Sequence, residues 1–434
     1  MNTEILARRR RGVMQLMGED CVAIIPSGAE SLRNGDVQFN FRPDSNFYYL
    51  SHFPEPDAVL VLIPGREQGE YVLFCREKDL DKETWYGYRE GLEGAVDRYS
   101  ADDAYPIDDI DEILPGLLEN RTKVYYSMGR HHDFDSRLIQ WVNQVKTRAR
   151  SGVTAPTEFV DLGIILYELR LVKRAEELRI MRRAAKLSIA AHQRAMRVCR
   201  PGMKEYQLQA ELEYVMHQGG CRAQAYPTIV AGGSRALVLH YTENQATLED
   251  GELLLIDAGA EVDCYAADIT RTFPVNGQFS VEQKVVYDIV LAAHQVAVEH
   301  TCIGKLWNDA HEAAVRVLVT GMLDLGLLKG EVDGLIESGS YKRFYMHRTG
   351  HWLGMDVHDV GDYKVEGAWR PLESGMVSTV EPGLYIAPDS DIEVRWHNIA
   401  IRIEDDVLVT RDGPEILTQG LARTTDEIES LMAA

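Results

Sequence analysis

The sequence lacks the long apolar runs that would place a protein in a membrane. Among its 434 residues, no apolar stretch approaches the roughly eighteen residues that a spanning helix needs. A basic cluster at residues 8–11 is followed by an apolar stretch that Gly18, Glu19 and Asp20 interrupt, and this stretch is too short for the apolar core of a signal peptide. We therefore expect neither a membrane partner nor a secretion signal.

Cysteine is scarce and scattered. No two of the six cysteines form a C-x-x-C pair, so the sequence indicates neither a disulfide framework nor a zinc ribbon. Unpaired cysteines are typical of a reducing compartment, and we expect a cytoplasmic protein. The six residues are Cys21, Cys75, Cys199, Cys221, Cys264 and Cys302.

Basic residues are outnumbered by acidic ones. The chain has 46 Lys and Arg against 68 Asp and Glu, which gives a net charge of −22. A nucleic-acid partner requires a basic surface, so we expect none. Gly65 follows a predicted strand but lacks the further glycines of a dinucleotide-binding loop, and the sequence therefore indicates no nucleotide cofactor either.

Two domains are predicted. Residues 1–171 alternate strand-like and helix-like segments, which is typical of an α/β domain, and residues 172–434 form the second domain. The strands predicted in the first domain are Val22–Ile25, Phe47–Leu50, Ala58–Ile63, Tyr71–Cys75 and Lys123–Ser127, and the helices are Glu4–Met17 and Phe134–Thr147.

The second domain contains an internal repeat. Apolar residues at helical spacing predict helices over Lys173–Cys199 and Glu205–Gln218. The same order returns as helices over Val281–His300 and Asn308–Leu325, with a glycine in each intervening loop. This pattern indicates an internal duplication, in which two similar halves close a sheet with helices outside.

Acidic residues end the strand-like runs of the first half. Asp257 and Asp268 are eleven residues apart in LLLIDAGAEVDCYAADITRT. A hairpin closing near Val262 and Asp263 would bring the two acids opposite each other, with Cβ atoms roughly 4.5–5.5 Å apart. Two buried carboxylates this close repel each other, so we expect a cation between them.

The second half repeats this arrangement of acids. GMVSTVEPG has the glycine and acid spacing of GELLLIDAG, so that Glu381 corresponds to Asp257. A following strand, IAIRIEDDV, brings Glu404 to the position of Asp268, and His351 lies upstream. Four carboxylates and one imidazole suit two divalent ions that share bridging carboxylates.

Six segments carry a resemblance to a known family. They are LVLHYTEN, LLLIDAGAE, YAADITRTFPVNG, MHRTGHWLGMDVHDVG, TVEPGLYI and IRIEDD. In this order and spacing they resemble the aminopeptidase P and prolidase family of metallopeptidases, and most closely its bacterial aminopeptidase P members. The resemblance implies a mixed α/β (α+β) fold, with a creatinase-like α/β domain over 1–171 and a pseudo-symmetric pita-bread catalytic domain over 172–434.

The same resemblance implies five metal ligands, Asp257, Asp268, His351, Glu381 and Glu404. In the family pattern Asp268 and Glu404 bridge the two ions, Asp257 belongs to one ion, and His351 and Glu381 belong to the other. The resemblance favours Mn²⁺. One imidazole among carboxylates also allows Co²⁺ or Zn²⁺.

Catalytic roles follow from the resemblance for three residues beside the metals. Glu381 would move a proton from water to the leaving nitrogen, His358 would stabilise the developing oxyanion, and His240 would hold a substrate carbonyl. We expect eight histidines outside these segments to be structural: His131, His132, His192, His217, His294, His300, His311 and His397.

Further substrate contacts are implied at four positions. His347 and Arg402 would line a prolyl pocket, and Arg370 falls on a similar family position. For Trp85 a place in the core is the default interpretation, whereas the resemblance implies that it reaches the pocket of a neighbouring subunit. The resemblance therefore also implies a homodimer or homotetramer. For Arg402, an ion pair that holds Glu404 is an equally good interpretation.

The implied activity is that of a hydrolase, a dinuclear metallo-exopeptidase that releases the residue before a proline in second position. Two alternatives remain. A prolidase, which cleaves only Xaa-Pro dipeptides, would share every ligand. A non-catalytic pita-bread binding module is the other, although such modules usually lose metal ligands and this chain keeps all five.

Overall fold

A computed structural model describes residues 2–434. The chain divides into two compact units, of which the first ends at Leu169 and the second spans Arg170–Ala434; the sequence predicts this division after residue 171. Among the described residues, no helix combines the length and the apolar character needed to cross a bilayer.

The first unit is built on a mixed six-stranded sheet. Its helices are α1 Thr3–Met17, α2 Ser45–Ser51, α3 Leu80–Tyr86, α4 Gly91–Asp97, α5 Ile110–Leu118, α6 His132–Lys146 and α7 Gly163–Leu171, the last of which runs across the boundary. Its strands are β1 Cys21–Pro26, β2 Leu32–Asn34, β3 Val37–Gln38, β4 Val59–Leu62, β5 Tyr71–Cys75, β6 Asp103–Pro106, β7 Lys123–Tyr125 and β8 Glu158–Val160. The large sheet has the order β6-β5-β4-β1-β7-β8, and α5 and α6 pack an apolar cluster onto it.

One predicted strand of this unit is wrong. The segment Phe47–Leu50 lies within helix α2. Asp44 caps this helix, since its carboxylate accepts hydrogen bonds from the backbone N–H of Asn46 at 2.8 Å and of Phe47 at 3.1 Å. An acidic cap that satisfies the first free N–H groups favours a helix over an extended strand, even in an aromatic-rich segment.

The second unit contains six helices and thirteen strands in the part of the chain that the structure describes. The helices are α8 Ala175–Val198, α9 Glu205–Gln218, α10 Val281–His300, α11 Asp309–Asp324, α12 Val332–Ser338 and α13 Thr425–Ala433. The strands are β9 Ala223–Gln224, β10 Ile229–Gly232, β11 Leu253–Asp257, β12 Ala260–Val262, β13 Tyr265–Ala266, β14 Thr270–Pro274, β15 Lys364–Val365, β16 Ala368–Trp369, β17 Val377–Val380, β18 Gly383–Ile386, β19 Ile399–Arg402, β20 Asp405–Thr410 and β21 Gly413–Ile416.

The predicted helix pairs are confirmed in both halves of this unit. Helix α8 packs on α9, and α10 packs on α11. Gly202 follows α8 with φ 87°, and Gly304 follows α10 with φ 88°. Only glycine adopts this left-handed conformation readily, so the two halves turn their chains in the same way at corresponding glycines.

Hydrogen bonds join the strands of the two halves. Strands β10-β11-β14 form one sheet and β17-β20-β21 another, while β18 pairs with β19. The Glu404 N–H donates to the Thr270 carbonyl at 3.0 Å, and the Thr272 hydroxyl donates to the Arg402 carbonyl at 3.0 Å. Buried apolar residues of α8–α11 pack behind these strands, so the strand ends of both halves meet at one place.

Candidate metal centre

The first strand pair holds Asp257 and Asp268 as diagonal neighbours. Asp257 is the last residue of β11 and lies opposite Thr270, the first residue of β14. The Ala258 N–H donates to the Ile269 carbonyl at 3.0 Å, which continues the same register. Asp268 then faces Gly259, two residues after Asp257. The prediction that the two acids lie directly opposite each other is therefore wrong, although both occupy the same face of the pair.

The turn explains this difference in register. Val262 pairs with Tyr265, and the turn residues Asp263 and Cys264 have φ 48° and 61°. Two left-handed residues make the tight hairpin turn whose twist matches the strands. The turn is centred one residue later than predicted, and this moves the partner of Asp257 by two residues.

The second strand pair places its acids opposite each other. Val380 pairs with Asp405 and Gly383 pairs with Arg402, so that Glu381 and Glu404 occupy facing positions between these pairs. Glu404 Oε2 accepts a hydrogen bond from the Thr270 hydroxyl at 2.6 Å. Thr270 of the first half thus orients an acid of the second.

Acids from both halves meet around one histidine. Ligand atoms of Asp268, His351 and Glu404 all lie within 4.8 Å of one another. His351 Nε2 is 3.4 Å from Asp268 Oδ2 and 3.7 Å from Glu381 Oε1. His351 Nδ1 donates to the Trp352 carbonyl at 3.0 Å, and this bond leaves Nε2 free to act as a metal ligand.

The electrostatics of this cluster favour a bound cation. Burial raises the pKa of Asp268, and burial together with the charges of Asp268 and Glu381 raises the pKa of Glu404 well above its usual range. Burial also raises the pKa of Glu381 to about 7. For His351, the contacts with Asp268 and Glu381 outweigh the effect of burial and raise its pKa to about 9. Carboxylates that are costly to ionise together, beside an imidazole, form a donor set that fits divalent metal ions.

Asp257 is held by two neighbours. Arg402 Nη2 donates to Asp257 Oδ2 at 2.6 Å, and the Tyr226 hydroxyl lies 2.7 Å from Asp257 Oδ1. Tyr226 also contacts Asp268 Oδ1. The ion-pair interpretation of Arg402 therefore needs a correction, because the carboxylate that it pairs with is Asp257 and not Glu404.

The predicted ligands line a cavity of about 1050 Å³ together with three further histidines, His240, His347 and His358. The His358 ring stands edge-on to that of His351, with 4.4 Å between centroids. His347 Nε2 accepts from the Tyr385 hydroxyl at 2.9 Å. Burial lowers the pKa of His347 to about 4, and burial and the charge of His351 lower the pKa of His358, so both rings are neutral near pH 7.

Two predicted substrate-binding residues lie elsewhere. Trp85 belongs to α3 of the first unit and is 82% exposed. Arg370 is buried, and its backbone N–H donates to the Tyr363 carbonyl at 3.0 Å. Its side chain is not among the described groups that line the cavity. Their roles in substrate binding stay predictions.

Sequence reasoning missed Tyr226, Thr270 and Tyr385. Thr270 could have been found, because it lies two residues after Asp268, and side chains two residues apart in a strand point to the same face. Tyr385 follows Glu381 by four residues on the neighbouring strand β18. No local pattern marks Tyr226, which comes to the acids from the segment between β9 and β10.

Comparisons with known proteins find matches in both units of the chain. The family model "Metallopeptidase family M24" matches residues 179–411, and "Aminopeptidase P, N-terminal domain" matches residues 6–125. The Xaa-Pro aminopeptidase of Escherichia coli is 41% identical over 98% of this chain and 97% of its own.

Solved structures are similar over the whole chain. The structure of Pseudomonas aeruginosa aminopeptidase PepP has a TM-score of 0.99 at 55% identity, covering 100% of this chain and 98% of that one. Zinc-substituted Escherichia coli aminopeptidase P in complex with product has a TM-score of 0.97 at 40% identity, with coverage of 100% and 98%. The predicted fold class is confirmed, and the chain belongs to metallopeptidase family M24, within the aminopeptidase P group of pita-bread enzymes.

Proposed function

We propose that this chain is a metal-dependent exopeptidase that releases the N-terminal residue from peptides with proline in the second position. One observation carries the proposal: acids from two strand pairs and one histidine converge at a cavity that neutral histidines also line. The similar proteins named Xaa-Pro aminopeptidase support the same activity.

The proposed cofactor is a pair of divalent ions, for which we favour Mn²⁺. Asp257, His351 and Glu381 would each serve one ion, and Asp268 and Glu404 would bridge both. When bound, such a pair activates water for attack and polarises the scissile carbonyl. The similar structure of zinc-substituted Escherichia coli aminopeptidase P supports a divalent ion as the cofactor.

The chain's own groups would then orient the peptide and move the proton. Glu381 Oε2 lies 3.8 Å from His347 Nδ1, facing the cavity where the leaving nitrogen would be. This carboxylate would accept a proton and deliver it to the proline nitrogen, which must be protonated to leave. Neutral His358 would donate to the developing oxyanion.

Selectivity for proline requires contacts that do not use an N–H at that residue, since proline has none. His240 would donate to the prolyl carbonyl, and His347 with Tyr385 would form the wall of the prolyl pocket. Arg402 is engaged by Asp257, Tyr385 and Thr270, and it would hold this wall in place.

The decisive test compares peptide lengths. Xaa-Pro-Xaa tripeptides should be cleaved at the Xaa–Pro bond with a higher kcat/KM than Xaa-Pro dipeptides, and Xaa-Ala analogues should be poor substrates. Cleavage of dipeptides that an added third residue stops would favour the prolidase alternative. No cleavage of either with Mn²⁺, Co²⁺ or Zn²⁺ supplied would favour the non-catalytic alternative.

Assembly and location are also proposals. The exposed Trp85 supports a homodimer or homotetramer in which this ring reaches a neighbouring subunit's pocket. The six free cysteines support a reducing, cytoplasmic environment. Sedimentation of the native chain beside a Trp85→Ala variant tests the first proposal, and thiol titration of freshly isolated protein tests the second.

A further inference from the structure

The outer wall of the cavity carries two cations on one indole ring. Lys364 and Trp369 belong to the hairpin formed by β15 and β16. Lys364 Nζ lies 4.4 Å and Arg348 Cζ lies 5.1 Å from the centroid of the Trp369 ring. All three side chains line the cavity. We call Arg348, Lys364 and Trp369 the cationic lip.

The hairpin that carries Lys364 and Trp369 is fixed at its base. The Arg370 N–H donates to the Tyr363 carbonyl at 3.0 Å, and the Trp307 N–H donates to the Arg370 carbonyl at 2.8 Å. The Tyr363 ring lies 4.7 Å from the Trp307 ring and stacks on Trp352 with an interplanar angle of 3°. This aromatic packing holds the lip in position before any ligand arrives.

The charges of the lip are not neutralised within the described chain. Neither Arg348 nor Lys364 has a carboxylate within ion-pair distance among residues 2–434, and Arg348 instead donates to the amide oxygen of Asn308. Asp362 lines the same cavity without an ion-pair contact to either cation. Two unpaired cations are unusual at the main cavity of a chain with a net charge of −22.

The cavity therefore carries opposite charges at two places. Its metal-binding acids suit the free amine at the start of a peptide, and the lip suits an anion. A guanidinium and an ammonium held on an aromatic face keep their hydrogen-bond donors available for a carboxylate. A volume of about 1050 Å³ is at the upper end of the usual range for small-ligand pockets, so there is room for residues beyond the proline.

We propose that the cationic lip binds a peptide carboxylate on the far side of the proline. This inference rests on the proposed function. The carboxylate has two sources, the free C-terminus of a tripeptide or an acidic side chain in the third position. The lip would make such peptides better substrates than neutral ones of equal length.

The test uses matched peptides and charge-removing variants of the full chain. Ala-Pro-Ala is compared with its C-terminal carboxamide, and Ala-Pro-Glu-amide is compared with Ala-Pro-Gln-amide. The native enzyme should prefer the charged member of at least one pair. Lys364→Gln and Arg348→Gln should each reduce that preference about 3-fold and the double variant about 10-fold, through KM, as expected for exposed ion pairs. Asp362→Asn should increase the preference.

Lys342→Gln is the control, because it removes the same charge from an exposed lysine outside the cavity lining. It should leave both preferences unchanged. Loss of preference in the first pair alone identifies the C-terminal carboxylate, and loss in the second alone identifies an acidic side chain.

The proposed role of the lip is overturned if the native enzyme cleaves both members of each pair equally well, or if the double variant keeps the native preference. Failure of the proposed function has a different signature, since the metal-loaded native enzyme would then cleave none of the four peptides.

Discussion

The two halves of the second unit place a buried histidine at the same position and give it different partners. His192 in α8 and His294 in α10 each precede the loop glycine of their half by ten residues. His192 Nε2 donates to the Ala258 carbonyl at 3.0 Å, whereas His294 Nε2 lies 3.2 Å from Asp405 Oδ2. A repeated backbone thus supports a contact with a neutral carbonyl in one half and a contact with a carboxylate in the other.

The difference extends to the residues that follow Asp268 and Glu404 in the sequence. Asp268 is followed by Ile269, which belongs to the apolar core, and Glu404 is followed by Asp405, which is buried. Arg271 Nη2 donates to Asp405 at 2.7 Å and its Nη1 donates to the Glu404 carbonyl at 2.6 Å. Although burial opposes ionisation, Arg271 and His294 hold the pKa of Asp405 below its usual range. An arginine of the first half therefore anchors the acid strand of the second.

The strongest test of equivalence between the halves removes the carboxylate of Asp268 or of Glu404, one at a time. Asp268→Ala and Glu404→Ala should each lower kcat/KM by about 10³-fold or more, because each removes a carboxylate proposed to hold both ions, and a bound metal contributes several kcal/mol of transition-state stabilisation. Metal content, proposed to be two ions per native chain, should fall in both. Activity assays and elemental analysis of the same preparations measure the two effects.

Both variants should stay folded without metal. In excess chelator, each should have a higher Tm than the native chain, because one of several buried, mutually repelling carboxylates is gone. Full activity with normal metal content in either variant would sink the ligand assignment, and loss of metal in only one of them would break the equivalence of the halves.

The next test concerns the segment before β17, which carries two histidines of the site. His351 and His358 lie between α12 and β17. If His358 stabilises the oxyanion, His358→Ala should lower kcat by about 10²–10³-fold with unchanged metal content. His358→Gln retains a donor and should recover part of this loss. Should metal leave the His358→Ala variant, His358 is a ligand and the proposed set of five is incomplete.

Much of this comparison could be predicted from sequence. The glycine and acid spacing of GELLLIDAG and GMVSTVEPG correctly paired the strands of the two halves, because spacing within a strand survives as geometry. The register of the first pair was wrong, because it depends on which residues of VDCY take left-handed conformations. Neither Asp263 nor Cys264 is a glycine that would have marked the turn.

Long-range partners were beyond the sequence for a different reason. Arg402 and Asp257 are separated by most of the second unit, and their 2.6 Å contact arises only when β19 lies beside β11. Likewise, Asp44 could have identified helix α2 as a local cap, but the aromatic residues of Phe47–Leu50 favoured a strand. Local capping outweighed intrinsic strand preference there.

The corresponding glycines of the two halves should tolerate a methyl group differently. A Cβ at Gly259 would lie 1.7 Å from the Ala267 carbonyl oxygen, whereas a Cβ at Gly383 would lie 2.8 Å from the Ile401 carbonyl oxygen. Gly259→Ala should destabilise the chain by about 3 kcal/mol, and Gly383→Ala by about 1 kcal/mol. Gly334→Ala is the control, because nothing lies within 4 Å of its Cβ position in helix α12. Equal losses at Gly259 and Gly383, measured by denaturant unfolding, would contradict the register described for the first pair.

The smallest expected difference distinguishes the two buried histidines. Burial lowers the pKa of His192 to about 4, whereas an unfolded chain has a histidine pKa of about 6.5. As the pH falls, the unfolded state therefore takes up the proton first. The stability that His192 contributes is complete above the unfolded pKa and is lost as the pH falls toward the folded one. Between pH 7 and pH 5 this loss is about 2 kcal/mol.

Substitution by glutamine separates the two histidines. His192→Gln keeps a donor for the Ala258 carbonyl but cannot titrate, so the free energy of unfolding should fall by about 2 kcal/mol less between pH 7 and pH 5 than in the native chain. Burial also lowers the pKa of His294, but the Asp405 carboxylate favours its protonated form and works against that shift. His294→Gln should therefore change the pH dependence less than His192→Gln does. Denaturant unfolding at both pH values, in chelator so that metal release does not contribute, measures each difference. Identical pH dependence in the native chain and His192→Gln would show that the buried imidazole of the first half does not stay neutral. The contrast drawn between the contacts of His192 and His294 would then be wrong.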